Sequence, residues 1–456
     1  MRVSAVRKPF NRRRFSTTWV EGTGPAARPS EQAAAACLFL AAAAATLTIA
    51  APTPLAAWAY ALVVLLAAAF WSMARAGKER KKDPVPSAAP GSAKCWLQTR
   101  RAARGAALAA IAAWGACQWS SGTTISRYAT LDGWTRAAAL VAALWLAECV
   151  LGNRALGGRY LRAFVWFAGA VSAAGVLAYY TSPGRILWIF PSPYPDTWGP
   201  FLSRNDFAAL LELAYPVALW RALAPSPHAV SSVAPRTRDS TASSARRVPR
   251  ENQTAYLCLA AWLLAAGLAS ASRAGSVLLA GETLFVLARH PARQGALRFA
   301  AVAVSLVAVA GAGTLWHRWQ EKDPWRTRRE IQQSALEMIA DRPIWGFGIG
   351  TFARAYPAYA RFDLGAKVEH AHSDWLEWAA EGGLPYALAW LVVAVSVAKP
   401  ASRSTWGIGV IAVFLHAFVD YPFARFGISA WTMTLAGIIG AAEKRDEERE
   451  VAAGAH

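Results

Sequence analysis

The sequence predicts an all-α integral membrane protein of about twelve transmembrane helices. Of its 456 residues, 55% are hydrophobic and only 17% are charged, and the mean hydropathy is +0.24. An apolar run of about 20 residues is long enough to cross the hydrocarbon core of a membrane as a helix. Twelve segments reach or approach this length: 33–51, 54–74, 102–118, 136–151, 162–180, 206–223, 254–270, 274–289, 298–316, 383–398, 406–421 and 426–442.

The positions of the basic residues predict which helix ends face the cytoplasm. The net charge is +20, but the 48 lysines and arginines lie in short clusters between apolar runs, which argues against nucleic acid as a partner. With a cytoplasmic N-terminus, most of them fall in the two tails and the even-numbered connections, as the positive-inside rule requires. The basic N-terminal tail ends well before the first apolar run, which favours an uncleaved signal anchor.

This topology places one large extracytoplasmic loop between the ninth and tenth spans. Two stretches rich in serine, proline and basic residues, 75–101 and 225–252, are predicted cytoplasmic linkers. The predicted parts of the chain are a basic tail (1–32), spans one to nine (33–316), the large loop (317–382), spans ten to twelve (383–442) and a C-terminal tail (443–456).

Two polar groups are predicted at extracytoplasmic helix ends. The sixth span opens with Ser203-Arg204-Asn205-Asp206, in which Asn205 or Asp206 is expected to cap the helix. An arginine beside a helix N-terminus forms an anion site. Arg273 lies in a turn between spans seven and eight that is so short that the side chain must sit at the membrane surface. The alternative for each arginine is an interfacial charge that contacts lipid phosphate.

The large loop opens with an arginine-rich segment whose apolar residues recur at helical spacing. Its arginines are candidates for anion binding, or else charges on a helix face: Arg326, Arg328, Arg329 and Arg342. The following segment, WGFGIGTF, has GxGxG spacing and no preceding strand, which argues against a nucleotide site. It predicts a tight turn that lets the backbone approach a ligand or a helix end.

The loop ends in EHAHSDWLEW, which contains His370 and His372. A single metal ion would need a third ligand that the sequence does not supply, so no metal is predicted. An imidazole with a pKa near 6.5 can take a proton from a hydroxyl at neutral pH, and Glu369, Asp374 or Glu377 is expected to orient it. The alternative is that both histidines only cap a helix.

Together these segments resemble the O-antigen ligase and polymerase superfamily, membrane glycosyltransferases that use polyprenyl-diphosphate-linked glycans. The resemblance covers about residues 200 to 425. It is carried by SRNDFA at 203–208, SRAG at 272–275, RPIWGFGIGTF at 342–352 and AHSDWL at 371–376 followed by EGG. Where the family commonly has His-Asn, this chain has His372-Ser373.

The resemblance implies a GT-C-type helical bundle in the bacterial inner membrane, with a periplasmic active site under the long loop and no metal or other cofactor. By analogy, Arg204 and Arg273 grip the diphosphate of an undecaprenyl-diphosphate-linked glycan, and His372 acts on the acceptor hydroxyl. Two permanently charged guanidinium groups suit a diphosphate leaving group. The implied substrate-binding residues are Asn205, Arg326, Arg342, His370 and Asp374.

The sequence leaves the acceptor open. Lipid A core, as in an O-antigen ligase of lipopolysaccharide assembly, is ranked first, followed by the growing glycan (a polymerase) and a protein hydroxyl (a protein O-oligosaccharyltransferase). A transporter of anionic lipid or polysaccharide is the alternative from another class. Apart from Glu148, Glu212 and Glu282, the spans hold few central charges, which argues against an ion-coupled carrier.

Overall fold

The computed structural model describes residues 26–48, 55–76, 93–192, 194, 197–223, 253–289, 326–361, 365 and 367–454. Its longer helices are α1 (Pro29–Leu47), α2 (Leu55–Ala76), α3 (Ala93–Ser121), α4 (Arg127–Val150), α5 (Arg154–Thr181), α6 (Arg204–Leu223), α7 (Gln253–Ala269), α8 (Arg273–Arg289), α9 (Arg326–Asp341), α11 (Asp374–Arg403), α12 (Ile408–His416) and α13 (Phe426–Gly454). A four-residue helix, α10 (Phe352–Ala355), leads into a 3-10 turn (Tyr356–Ala358), and strands β1 (Arg185–Ile186) and β2 (Phe190–Pro191) pair antiparallel.

The described helices support a multi-pass membrane protein. Helices overlap eleven of the twelve predicted spans, and the ninth, 298–316, lies outside the described residues, as does the linker 225–252. Within the described ranges, five helices are long and apolar enough to cross a membrane: α1, most of α2, α4, α5 and α11. The total of twelve spans therefore stays a prediction.

The predicted eleventh span is wrong in length. Helix α12 has nine residues and rises only about 14 Å. Its last carbonyl, that of His416, accepts hydrogen bonds from the amides of Val419 and Asp420, both at 3.0 Å, so the chain turns there. Residues 417–425 form a connection between α12 and α13, which we call the 417–425 turn.

A buried aromatic cluster around Trp431 of α13 holds the bundle together. The indole packs against Phe39 of α1, 5.4 Å between ring centroids, and against Phe164 of α5, 4.7 Å away. Its Nε1 donates a hydrogen bond to the hydroxyl of Thr46 at 2.9 Å, so the one polar atom of the side chain is satisfied. Such aromatic pairs add about 1 kcal/mol each beyond the burial of their area.

Helix α11 bends sharply at Gly383. The rings of Trp378 and Trp390 stack with 4.6 Å between their centroids, although twelve residues of straight helix would separate them by about 18 Å. The backbone at Gly383 has φ +76° and ψ +173°, and a Cβ at this position would lie 2.0 Å from the carbonyl oxygen of Ile344. Helix α11 therefore consists of a short helix, 374–382, folded against a long one, 384–403.

We expect the substitution Gly383→Ala to destabilise the protein. The left-handed backbone costs an L-residue about 1 to 3 kcal/mol, and the contact with Ile344 adds to that cost. The matched control is Gly122→Ala, because Gly122 has φ +71° but open space around its Cβ position. Thermal unfolding in detergent measures both variants, and an equal loss of stability in the two would contradict the role of the contact.

Candidate active site

The short first part of α11 is fastened to the 417–425 turn. Ser373 caps the helix: its hydroxyl accepts a hydrogen bond from a backbone amide one turn on, at 3.4 Å, and donates to the carbonyl of Ala417 at 3.3 Å. The amide of Asp374 also donates to Ala417, at 3.0 Å, and its carboxylate accepts from the amide of Phe423 at 2.9 Å. Asp374, a predicted substrate-binding residue, is thus buried and holds the site together.

Asp420 lies at the centre of the candidate site. One carboxylate oxygen accepts hydrogen bonds from the guanidinium of Arg328, at 3.3 Å, and from the amide side chain of Asn205. The other accepts from the amide of Tyr421, at 3.0 Å, and lies 3.7 Å from Nδ1 of His372. Three distant parts of the chain, in α6, in α9 and ahead of α11, therefore meet at one buried carboxylate.

The charge of Asp420 is set by its neighbours. Burial raises the pKa of this carboxyl, but His372 and the Arg328 guanidinium together lower it by more, so the pKa lies well below its ordinary value. Asp420 lies in the 417–425 turn, outside the helices. The carboxylate is therefore ionised and able to stabilise a positive charge on His372.

His372 is held in an unusual conformation. Its φ of +52° is in the left-handed region, and its carbonyl accepts a hydrogen bond from the side chain of Gln332 at 3.1 Å. The ring meets that of Tyr421 edge to face, 5.1 Å between centroids, and the side chain remains 27% exposed. Nδ1 is directed at Asp420 and the ring is open to a ligand. The distance of 3.7 Å is longer than a hydrogen bond.

His370 lies on the other side of Tyr421. Its ring stacks on the tyrosine with 4.5 Å between centroids, and its Nδ1 lies 2.9 Å from the carboxylate of Glu377. Of the three carboxylates predicted to orient a histidine, Glu377 alone contacts one, and its partner is His370. Glu369 pairs with Lys367, 3.2 Å away at the surface. The carboxylate that faces His372 is Asp420, which the sequence analysis did not identify.

The start of α6 also differs from the prediction. Ser203, rather than Asn205 or Asp206, is the cap: its hydroxyl accepts from the amide of Asn205 at 3.1 Å. The side chain of Asn205 is directed at Asp420 instead. Asp206 forms a 2.9 Å ion pair with Arg425 at the end of the 417–425 turn. The cap prediction is wrong because both side chains bind a distant segment that local patterns do not reveal.

The two candidate diphosphate-binding arginines open neighbouring helices. Arg204 is the first residue of α6 and Arg273 the first of α8, where the hydroxyl of Ser272 accepts from the amide of Gly275 at 3.2 Å. A Cβ at Gly275 would lie only 2.6 Å from that of Ala208, so the N-terminal ends of the two helices touch. Both arginine side chains are half-buried. Two adjacent helix N-termini, each with an arginine, favour an anion.

The other arginines predicted in the large loop have different partners, and they do not all reach Asp420. Arg328 of α9 binds Asp420 and donates to the carbonyl of Val419 at 3.0 Å. Arg326 is largely exposed and pairs with Glu330 at 3.5 Å on its own helix. Arg342 lies over the ring of Phe347, 4.6 Å from its centroid, and donates to the carbonyl of Thr123 at 3.4 Å. Neither Arg326 nor Arg342 contacts Asp420.

The glycine-rich segment approaches a helix end, as its spacing predicts. The amides of Phe347 and Gly348 donate to the carbonyls of Ala380 and Glu381, at 3.0 and 2.8 Å, at the end of the short helix 374–382. Gln118 of α3 also donates to the carbonyl of Glu381, at 2.8 Å. This segment therefore supports the helix that follows His372.

The assembled groups can bind an anion and move a proton. In the part of the chain that the structure describes, no group of three or more His, Cys, Asp or Glu side chains is arranged to hold a metal ion. The positive groups are the guanidinium groups and the helix N-termini, and the imidazole of His372 faces an ionised carboxylate. This combination suits a reaction in which a hydroxyl loses a proton and an anionic group departs.

Comparison with known proteins relates part of the chain to one family. The sequence model of one family, described as O-Antigen ligase, matches residues 258–391. The match includes Arg273, His370 and His372, whereas Arg204 and Asp420 lie outside it. It confirms the resemblance to the O-antigen ligase and polymerase superfamily. No curated protein matches the chain.

Proposed function

We propose that this member of the O-antigen ligase and polymerase superfamily transfers a glycan from undecaprenyl diphosphate to a hydroxyl of lipid A core, on the periplasmic face of the inner membrane. One observation carries the proposal: His372 faces the ionised Asp420, which Asn205 joins to the N-terminus of α6, next to that of α8. These elements supply the two functions that the transfer needs, a base for the acceptor and positive charge for the leaving group.

The leaving group is a diphosphate ester of the carrier lipid. As the bond between the sugar C1 and the diphosphate oxygen breaks, negative charge grows on that oxygen. Arg204 and Arg273 neutralise this charge, together with the partial positive charges of their helix N-termini. Because guanidinium groups stay charged at every physiological pH, they take the role that a magnesium ion has in other diphosphate chemistry.

His372 acts as the general base. With Nδ1 directed at Asp420, Nε2 takes the proton from the acceptor hydroxyl while the hydroxyl oxygen forms the new bond to C1. The ionised Asp420, 3.7 Å from Nδ1, stabilises the imidazolium that results. Proton transfer of this kind contributes about 10²- to 10⁴-fold to the rate.

An apolar groove beside the site supports a lipid-linked donor. The groove lies between the long part of α11, residues 391–398, and helix α12 with the residues that follow it, 410–418. Its end nearest the site is formed by Trp375 and Phe418, whose rings stack with 5.1 Å between centroids. Trp375 lies three residues from His372, and Phe418 two residues from Asp420. A hydrocarbon chain in the groove therefore places its polar head at the site.

We expect Leu391→Trp to weaken binding of the long-chain donor, because the larger side chain fills the groove. Loss of about 50 Å² of apolar contact raises KM roughly tenfold. Transfer from a donor with a short isoprenoid chain should be unchanged. The matched control is Leu65→Trp on α2, where the leucine is 38% exposed compared with 42% for Leu391. Equal KM values for the long-chain donor in the two variants would exclude the groove as its binding site.

A deletion strain tests the proposed acceptor. Loss of a ligase leaves polymeric glycan on the carrier lipid, whereas loss of a polymerase leaves a single repeat unit on the lipid A core. Loss of a protein O-oligosaccharyltransferase leaves both the carrier-linked glycan and the glycan on the core unchanged. A transporter is distinguished in liposomes, where it moves lipid across the membrane without forming a glycosidic bond. We expect carrier-linked polymer to accumulate, and mass spectrometry of the lipid fraction measures it. Single repeats on the core would contradict the ligase assignment.

A further inference from the structure

Helices α6, α8 and α12 pack against one another in the interior of the bundle. There the side chains of Glu212, Glu282 and His416 are almost completely buried, with 0%, 2% and 0% of each residue exposed. Glu212 lies about 12 Å along α6 from its first residue, and Glu282 about 14 Å along α8 from its first residue. His416 is the last residue of α12 and precedes Asp420 by one turn. The proposed mechanism uses none of the three.

The cluster contains one hydrogen-bonded pair and several unsatisfied polar atoms. Nδ1 of His416 lies 2.8 Å from one carboxylate oxygen of Glu212. The other oxygen of Glu212, Nε2 of His416 and both oxygens of Glu282 have no hydrogen-bond partner among the described residues. The hydroxyl groups of Tyr215, three residues after Glu212, and Thr283, the residue after Glu282, lie 2.7 Å apart and share a hydrogen bond, so the two glutamates lie at the same level of the packed helices α6 and α8. The cluster is therefore a connected group.

Burial limits the charge that such a cluster carries. An isolated ionised carboxylate inside a membrane protein is costly, and two adjacent carboxylates repel each other. An electroneutral arrangement needs one proton shared by Glu212 and His416 and a second proton on Glu282. The unsatisfied oxygens of Glu282 then belong to a carboxylic acid, for which burial costs far less than for a carboxylate.

We propose that Glu212, His416 and Glu282 form an electroneutral proton-binding cluster, in which the Glu212–His416 pair positions Asp420 and the N-terminus of α6 for the transfer reaction. The inference rests on the proposed function, because the groups that it positions are those of the proposed mechanism. The cluster does not touch the substrate. Glu212 and His416 are therefore positioning residues, and Glu282 binds the second proton beside them.

The positioning of Asp420 follows from the contacts around His416. The carbonyl of His416 accepts from the amide of Asp420, so the end of α12 sets the position of the 417–425 turn. The pair with Glu212 fixes this end to α6, the helix whose Asn205 binds Asp420. The charged and titratable groups facing the cluster are Asp206 and Asp420 near His416, and Tyr215 near Glu282.

The first test separates positioning from substrate binding. We expect Glu212→Gln to lower kcat roughly tenfold to hundredfold, because a small displacement of a catalytic group costs about that much, with the donor KM changed less than about twofold. The control is Glu148→Gln, because Glu148 pairs with Arg104, 3.0 Å away, where α3, α4 and α13 meet. A wild-type kcat in Glu212→Gln would overturn the proposal.

The second variant keeps the experiment informative if a single substitution disturbs folding. Exchange of the pair, Glu212→His with His416→Glu, retains one acid and one imidazole. We expect kcat within about threefold of wild type in the exchanged protein, whereas each single substitution leaves two like groups and loses activity. Failure of the exchange to raise kcat above the single variants, at equal amounts of folded protein, would also overturn the positioning role.

An infrared measurement tests the proton on Glu282 without any transfer reaction. A neutral carboxylic acid has a carbonyl stretching band that a carboxylate lacks. We expect such a band in the purified wild-type protein and its loss in Glu282→Gln, whose transfer rate stays near wild type because the side chain remains neutral. Identical spectra would contradict the proton assignment. If the band is present but wild-type protein forms no glycosidic bond, the proposed function is wrong and the assignment of a proton to Glu282 is retained.

Discussion

Replacement of His372 by glutamine is expected to abolish glycan transfer and to leave the protein folded in the membrane. Glutamine keeps a polar side chain of similar length but cannot take a proton at neutral pH. The loss of the general base lowers the rate about 10²- to 10⁴-fold. The measurement is the initial rate of lipid-linked glycan transfer in proteoliposomes that contain equal amounts of each protein.

The matched comparison is His370→Gln, because the two histidines flank the same tyrosine. His370 makes a 2.9 Å contact with Glu377 and does not face Asp420, so its loss should cost less than about tenfold. A larger loss in His370→Gln than in His372→Gln would transfer the role of base to His370. Equal rates in wild type and His372→Gln would contradict the proposed mechanism.

The second large effect is expected for Arg273→Lys. Lysine keeps the positive charge but cannot form the paired hydrogen bonds of a guanidinium to two phosphate oxygens. Removal of one stabilising donor from a developing negative charge typically costs about 10²- to 10³-fold in kcat. The measurement is kcat with saturating donor, so that a change in donor affinity does not obscure the effect.

Helix α8 supplies its own control. Arg289 is at the opposite end of the helix from Arg273, where it donates to the carbonyl of Ser402 and lies over the ring of Phe285, 4.2 Å from the centroid. Arg289→Lys should leave kcat within about twofold of wild type, as expected for an exposed charge away from the site. Similar losses in the two lysine variants would show that general destabilisation, and not diphosphate binding, explains the effect.

The helices could be predicted because each follows from a local property. Helix α5 covers 154–181 where the apolar run predicted a span over 162–180, and the helix begins early because Asn153 caps it through two hydrogen bonds, at 3.0 and 3.3 Å. The predicted tenth span, 383–398, begins at Gly383, the residue at which helix α11 bends. Apolar length and composition are sufficient for such assignments.

The residues that join the site were not predictable in the same way. Asp420 was counted as part of an apolar run of sixteen residues, and the turn that removes it from a helix depends on contacts with α6 and α9. One local signal was present: a single carboxylate at the extracytoplasmic end of a predicted span indicates a functional group. No local sequence pattern indicates a role for Gln118, because only folding brings this side chain to the carbonyl of Glu381.

Formation of a glycosidic bond by the purified protein tests the central claim most directly. Proteoliposomes would receive undecaprenyl-diphosphate-linked O-antigen and lipid A core, with a metal chelator present throughout. We predict that wild-type protein forms the glycan-core product and that the combined variant Arg204→Ala, Arg273→Ala and His372→Ala forms none. Product formation by that variant at the wild-type rate would contradict the account.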